Sequence, residues 1–249
     1  MKMRLYLLAV LASMALTSCQ ITENIYLEED GSGKIAFDVD ASELMGIAGD
    51  KVAETGQMQD IDSTFTFKQI FEQKKDSIAK LPAAEQARLK KLEDLSVNMK
   101  MNAASKEFRM SVFRDFKKAT DLQDMMEAMK SIKDLEKAPS TPENPFGNMM
   151  NGSSNTDLKY SFDGKTFKRT AKIIDPKLQE QLKDSTGMMK MMFAGSNYTM
   201  KYHFPRKVKS VSNPNALFSA DRKTVTIPYS LSEYIEQPDK MSVEVILEK

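Results

Sequence analysis

The chain has 249 residues carrying 36 basic and 35 acidic side chains, a formal charge of +1, 41% hydrophobic residues, no tryptophan, one cysteine and one histidine. So even a balance leaves no clustered cationic footprint of the kind that phosphate neutralisation demands, which argues against a nucleic-acid partner. The single cysteine excludes an internal disulfide framework, and with one histidine beside it a zinc site built from protein ligands is excluded as well.

The first residues, Met1-Lys2-Met3-Arg4, carry two positive charges and lead into an apolar run from Leu5 to Leu16. That run covers about 18 Å as a helix, short of the roughly 30 Å hydrocarbon core, so it reads as a cleaved export signal over residues 1–18. The segment Leu16-Thr17-Ser18-Cys19 closely resembles the lipobox of bacterial lipoproteins. The resemblance implies a diacylglyceryl thioether on Cys19, cleavage before it, and acylation of the new amino group. Two or three chains, at about 0.8 kcal/mol per buried methylene, anchor a protein stably where one is marginal. Removing residues 1–18 takes away Lys2 and Arg4 and no acid, leaving 34 basic against 35 acidic residues and a charge of −1. Gln20-Ile21-Thr22-Glu23 lacks both the +2 aspartate that resembles an inner-membrane retention signal and an immediate acidic run. The periplasmic face of an outer membrane is the expected location.

In the mature chain, Ile21, Glu23, Ile25 and Leu27 alternate with Thr22, Asn24, Tyr26 and Glu28 up to Asp30-Gly31-Ser32-Gly33, and Lys34–Asp40 alternates again. Two period-two runs around an Asp-Gly turn predict a β-hairpin that starts almost at Cys19, with hardly any tether. Residues 41–63 give no clear assignment beyond a short helix capped by Ser42. Phe67, Ile70, Phe71, Ile78 and Leu81 recur near helical spacing from about Phe65 to Pro82, and a second helix from Ala83 to about Leu95 carries Leu89, Leu92 and Leu95. Val97, Met99 and Met101, then Phe108, Met110 and Val112, predict a second hairpin. A helix from near Thr120 holds Leu122, Met125, Met126, Met129, Ile132 and Leu135.

Residues 138–156, with three prolines and two glycines, read as a loop or linker dividing an N-terminal α+β unit (19–137) from a C-terminal one (157–249); the alternative is that the two form a single domain. Leu158–Phe162, Asp163-Gly164 and Thr166–Ile174 predict a third hairpin. Asp175-Pro176 fits the N-cap and N1 positions of a helix running to about Phe193 and closed by Gly195. Strands follow at Tyr198–Phe204, Thr224–Tyr229 and Met241–Leu247. The expected class is therefore α+β: antiparallel β-hairpins forming one or two sheets, with helices packed on one side.

The lipobox, the hairpin tipped by Asp30-Gly31-Ser32-Gly33 and the stretch Ser219-Ala220-Asp221-Arg222-Lys223-Thr224-Val225 together resemble bacterial lipoprotein families of poorly defined function, including LppM-like domains. The resemblance covers the hairpin and the last third. It departs at the C-terminus, where no transmembrane stretch precedes Lys249, and it supplies no catalytic residue.

Catalytic chemistries find little support. His203, the one histidine, sits out of phase with Tyr202 and Phe204 and reads as a strand histidine rather than a base beside a nucleophile. Gly31-Ser32-Gly33 precedes a strand, not the helix a phosphate loop needs. Glu28-Glu29-Asp30 and Asp60 with Asp62 lack calcium-loop spacing and read as solvated charge. The methionines, 19 in all, group at Met125, Met126 and Met129, at Met149 and Met150, and at Met188, Met189, Met191 and Met192. Packing or an apolar surface explains them better than a copper site. The expectation is a non-enzymatic, membrane-anchored binding or scaffold domain without cofactor or metal. It would meet membrane lipid through acylated Cys19 and bind an envelope protein or lipid. The rivals are a carrier holding an apolar ligand between sheet and Met-rich helices, and a carboxylate-dependent hydrolase.

Overall fold

The computed structural model describes residues 19–43, 45–46, 60–123, 155–185 and 195–249. Strands β1 (Gln20–Leu27) and β2 (Gly33–Asp40) form the first hairpin, paired from Gln20↔Asp40 to Leu27↔Gly33. Its turn works as the residue types require: Asp30 Oδ1 accepts from Ser32 N at 2.9 Å and Ser32 Oγ at 2.6 Å, and Gly31 takes φ +83, which a side chain would strain. The second hairpin, β4 (Ser96–Asn102) with β5 (Glu107–Phe116), pairs from Ser96↔Phe113 to Asn102↔Glu107. The third, β6 (Thr156–Phe162) with β7 (Thr166–Ile173), closes on Asp163, whose Oδ1 accepts from Lys165 N and Thr166 N. Of the predicted linker, residues 138–154 lie outside the described residues; Asn155 and Thr156 are buried, and Thr156 opens β6.

The helical hairpin begins later than its apolar spacing suggests, because β3 (Ile61–Thr66) runs antiparallel to β4 first. Thr66 then caps α1 (Phe67–Gln73) through a reciprocal capping box with Gln69. The short α2 (Lys75–Ile78) leads to Pro82 and α3 (Ala83–Lys90). Helix α3 stops before Leu92 and Leu95, which are nonetheless fully buried in the turns that follow it. Near Thr120 a single 3-10 turn, Ala119–Asp121, is present; the predicted helix beyond it, with Met125 to Leu135, lies outside the described residues. Helix α4 (Pro176–Ser185) starts as predicted, with Asp175 Oδ1 accepting from Lys177 N and Leu178 N. Residues 186–194 lie outside the described residues, and Gly195 takes φ +89.

The remaining elements are β8 (Asn197–His203), β9 (Val208–Val211), β10 (Leu217–Phe218), β11 (Thr224–Ser230), α5 (Leu231–Glu236), a 3-10 turn (Pro238–Met241) and β12 (Val243–Leu247). The strands make an eight-stranded sheet, β10-β11-β8-β1-β2-β5-β4-β3, and a four-stranded sheet, β6-β7-β12-β9. This is the expected α+β class with mostly antiparallel pairing. The exception is β1 with β8, which run parallel from Gln20↔Asn197 to Tyr26↔His203. The larger sheet thus draws strands from both sides of residues 138–156.

The sheets pack face to face, with Phe167 of β7 edge-on to Tyr202 at 5.4 Å and to Phe204 at 5.8 Å. Both Asp-Gly turns lie at one pole: Arg206 pairs with Glu29 at 3.1 Å and donates to Gly164 O. Counting back along β1, β8 and β7 places Cys19, Ser196 and Ile173 together at the opposite pole.

Candidate functional site

Cys19 stands at the lip of the larger sheet. Its N–H donates to Ser196 Oγ at 3.0 Å, its carbonyl accepts from Asn197 N at 3.0 Å, and Ser196 O in turn accepts from Leu231 N at the start of α5. The thiol is buried, and that burial, with Asp40 nearby, pushes it up to about 11. Nothing separates the cysteine from the first paired residue of β1, as the sequence predicts.

Four residues along β1 lies a charged core. Glu23 shares the inward face with Ile21, Ile25 and Leu27, and its carboxylate is fully buried between the sheets. It accepts from Tyr198 Oη at 2.5 Å, Tyr202 Oη at 2.6 Å and Tyr160 Oη at 3.4 Å, and pairs with Arg169 Nη2 at 3.3 Å. Arg169 Nη1 donates to Met241 O at 2.8 Å, and the Tyr234 ring stacks on Tyr198 at 4.0 Å. Burial opposes charge on Arg169, but Glu23 and the surrounding tyrosines hold it well above its usual value. Burial, then the Glu23 charge, raises Tyr160, Tyr198 and Tyr202, so all three stay neutral donors. A cavity of ≈ 10 Å³ beside Arg169, walled partly by Thr156, Leu158 and Tyr234, is about the size of one water. This network ties sheet to sheet. Sequence reading assigned it no role, although the signal is present: Glu23 and Arg169 are the charges in phase with the apolar faces of their strands.

The other candidate residues are dispersed. His203 Nδ1 lies 3.1 Å from Thr224 Oγ1 and its ring stacks on Tyr26 at 4.2 Å. Burial, followed by Lys201, lowers its affinity for a proton. Asp30 is engaged in its turn, Glu29 with Arg206, and Asp60 accepts from Asn102 Nδ2 and Ala103 N. Among the described residues no group of three His, Cys, Asp or Glu is arranged to hold a metal. The methionine groups at 125–129, 149–150 and 188–192 lie outside the described residues.

An open groove of ≈ 630 Å³ lies over α1 to α3. Phe71, Ile78 and Leu89 supply its apolar surface, while Lys68, Lys75, Glu72 and Glu93 supply charge. Helices α1 and α2 bury no residue fully. An apolar floor with a mixed-charge rim can seat an amphipathic segment, the rim charges setting orientation.

No family model matches the chain, and no curated protein matches it. Among solved structures it is similar to the folded domain of the Mycobacterium tuberculosis LppM protein, with a TM-score of 0.40 and 9% identity over 93% of this chain and 90% of that one.

Proposed function

We propose that this chain is a lipid-anchored protein of the bacterial envelope, acting as a non-enzymatic binding or scaffold module, with acylated Cys19 as the anchor and the α1–α3 groove as the docking surface for a protein partner. The observation that carries the reading is the position of Cys19. The cysteine that the lipobox resemblance marks for acylation is also the residue from which the central strand of the larger sheet departs. Acyl groups there would hold the folded domain against the membrane without a tether. The buried thiol, held protonated up to about pH 11, is a poor nucleophile. Because the thiol is fully buried once β1 is paired, this reading has lipid attached before β1 closes on β8. The periplasmic face of the outer membrane is the location this reading assigns.

A carrier of an apolar ligand is the second reading, and the groove supports it through Phe71, Ile78 and Leu89. The test is capture of the lipidated protein from native envelopes, with mass spectrometry of the mature N-terminus, co-purifying proteins and extracted lipids. Cys19→Ala and Lys68→Glu/Lys75→Glu serve as controls. A thioether-linked diacylglyceryl on Cys19, and a stoichiometric protein lost with the lysine variant, support the scaffold. A co-purified lipid with no protein partner supports the carrier, and an unmodified Cys19 in the exported protein sinks both.

A further inference from the structure

The Cys19 pole carries apolar surface that the core does not use. Ile174 is 61% exposed and Leu178 is 40% exposed, one at the end of β7 and the other in the first turn of α4. A short chain of hydrogen bonds joins this patch to Cys19. Cys19 N donates to Ser196 Oγ, and Ser196 O accepts from Leu231 at the head of α5. One helical turn later Ile235 O accepts from the buried Gln179 Nε2 at 2.8 Å, next to Leu178 on α4. Asn155 then bonds Gln179 Oε1 and Asp175 O, while its own carbonyl accepts from Ile174 N. The strand directions agree: β7 runs from the Asp-Gly pole toward Cys19, so Ile174 emerges at the anchored end.

We infer that Ile174 and Leu178 form a second membrane contact, entering the acyl boundary of the bilayer in which Cys19 is anchored; the inference rests on lipidation of Cys19. The flanking charges suit a lipid surface. Lys172 and Lys177 are exposed on either side of Ile174 and can reach headgroups with their stems lying on the apolar layer. The neighbouring acid Asp175 is committed to capping α4, and Glu180 lies one turn further along the helix. Two exposed aliphatics are too few to bind a membrane unaided. Beside an anchor that already holds the pole at the interface, they fix the domain's orientation, and so the direction in which the groove faces.

The test uses the full lipidated protein in phosphatidylethanolamine–phosphatidylglycerol vesicles, with Ile174→Cys, Leu178→Cys or Leu217→Cys carrying an environment-sensitive fluorophore. Acylation occupies the Cys19 sulfur, so each label is unique. Leu217 is the control because it is 60% exposed but lies on edge strand β10, level with the middle of β1. Blue-shifted emission at 174 and 178, quenched several-fold by brominated acyl chains, with 217 unquenched, supports the inference. Equal, aqueous emission at all three sites in vesicle-bound, lipidated protein overturns it while leaving the anchor intact. Absence of lipid on Cys19 overturns both.

Discussion

Replacing Glu23 with glutamine keeps the shape of the side chain and removes its charge. In the folded protein the Arg169 side chain is 1% exposed and that of Glu23 is 0% exposed, so the guanidinium would remain in the core without its counter-charge. Removing one member of a buried pair costs about 3–5 kcal/mol, because the other stays desolvated and uncompensated. The two short tyrosine bonds soften little of this, since Gln Oε1 still accepts but loses the charge assistance. Against a total stability of about 5–15 kcal/mol, roughly a fifth or more of the folding free energy is expected to go. Urea unfolding of the full-length Cys19→Ala chain, with and without Glu23→Gln, should show the midpoint fall at constant slope. Adding Arg169→Met should recover part of the loss, giving a coupling energy of at least about 1 kcal/mol. A single-variant cost below about 1 kcal/mol, or strict additivity, would refute the argument that this charge is buried and held by its partner.

The tyrosines predict the alkaline limit. Their folded-state pKa values lie above the ordinary 10.0, so their contribution is complete below pH 10 and is lost as pH rises and the unfolded chain ionises. Thermal unfolding should fall steeply above pH 10, and Tyr198→Phe/Tyr202→Phe should flatten that slope while lowering stability at pH 7. His203 titrates in the opposite sense: with its folded pKa below 6.5, its contribution is present above pH 6.5 and lost on acidification. An NMR titration of the imidazole should give a midpoint below 6.5, and one above it contradicts the assigned burial. A Cβ at Gly33 would clash with the Tyr26 carbonyl oxygen and meet the Phe116 ring at 2.7 Å, so Gly33→Ala should cost about 1–3 kcal/mol by overpacking, read as a lower Tm.

Local chemistry was enough to place much of this protein. The three hairpins were legible because alternation sets the faces of a strand and an Asp-Gly or short polar turn sets the reversal, both within about twenty residues. The Asp175-Pro176 start of α4 was legible for the same reason, since a cap is a bond between neighbours. Cys19 and its nearness to the sheet were fixed by linear distance alone. Strands β3, β9 and β10 and helix α5 were missed: the Asp62-Ser63-Thr64 run carries no alternation on an exposed edge strand, β9 and β10 are only four and two residues long, and Ser230 to Glu233 is a capping box too short to stand out before a six-residue helix. What tertiary structure alone decided is non-local. The parallel pairing of β1 with β8 joins residues 177 apart, and no turn chemistry encodes it. The meeting of Glu23 with Arg169, 146 residues away, depends on how two sheets face each other. Each charge by itself looks like an error on an apolar face, and only their juxtaposition gives each a buried counter-charge. The same holds at the Cys19 pole, where Ile174 and Leu178 come to the same end of the molecule as Cys19 only because β7 runs toward that end and β8 away from it.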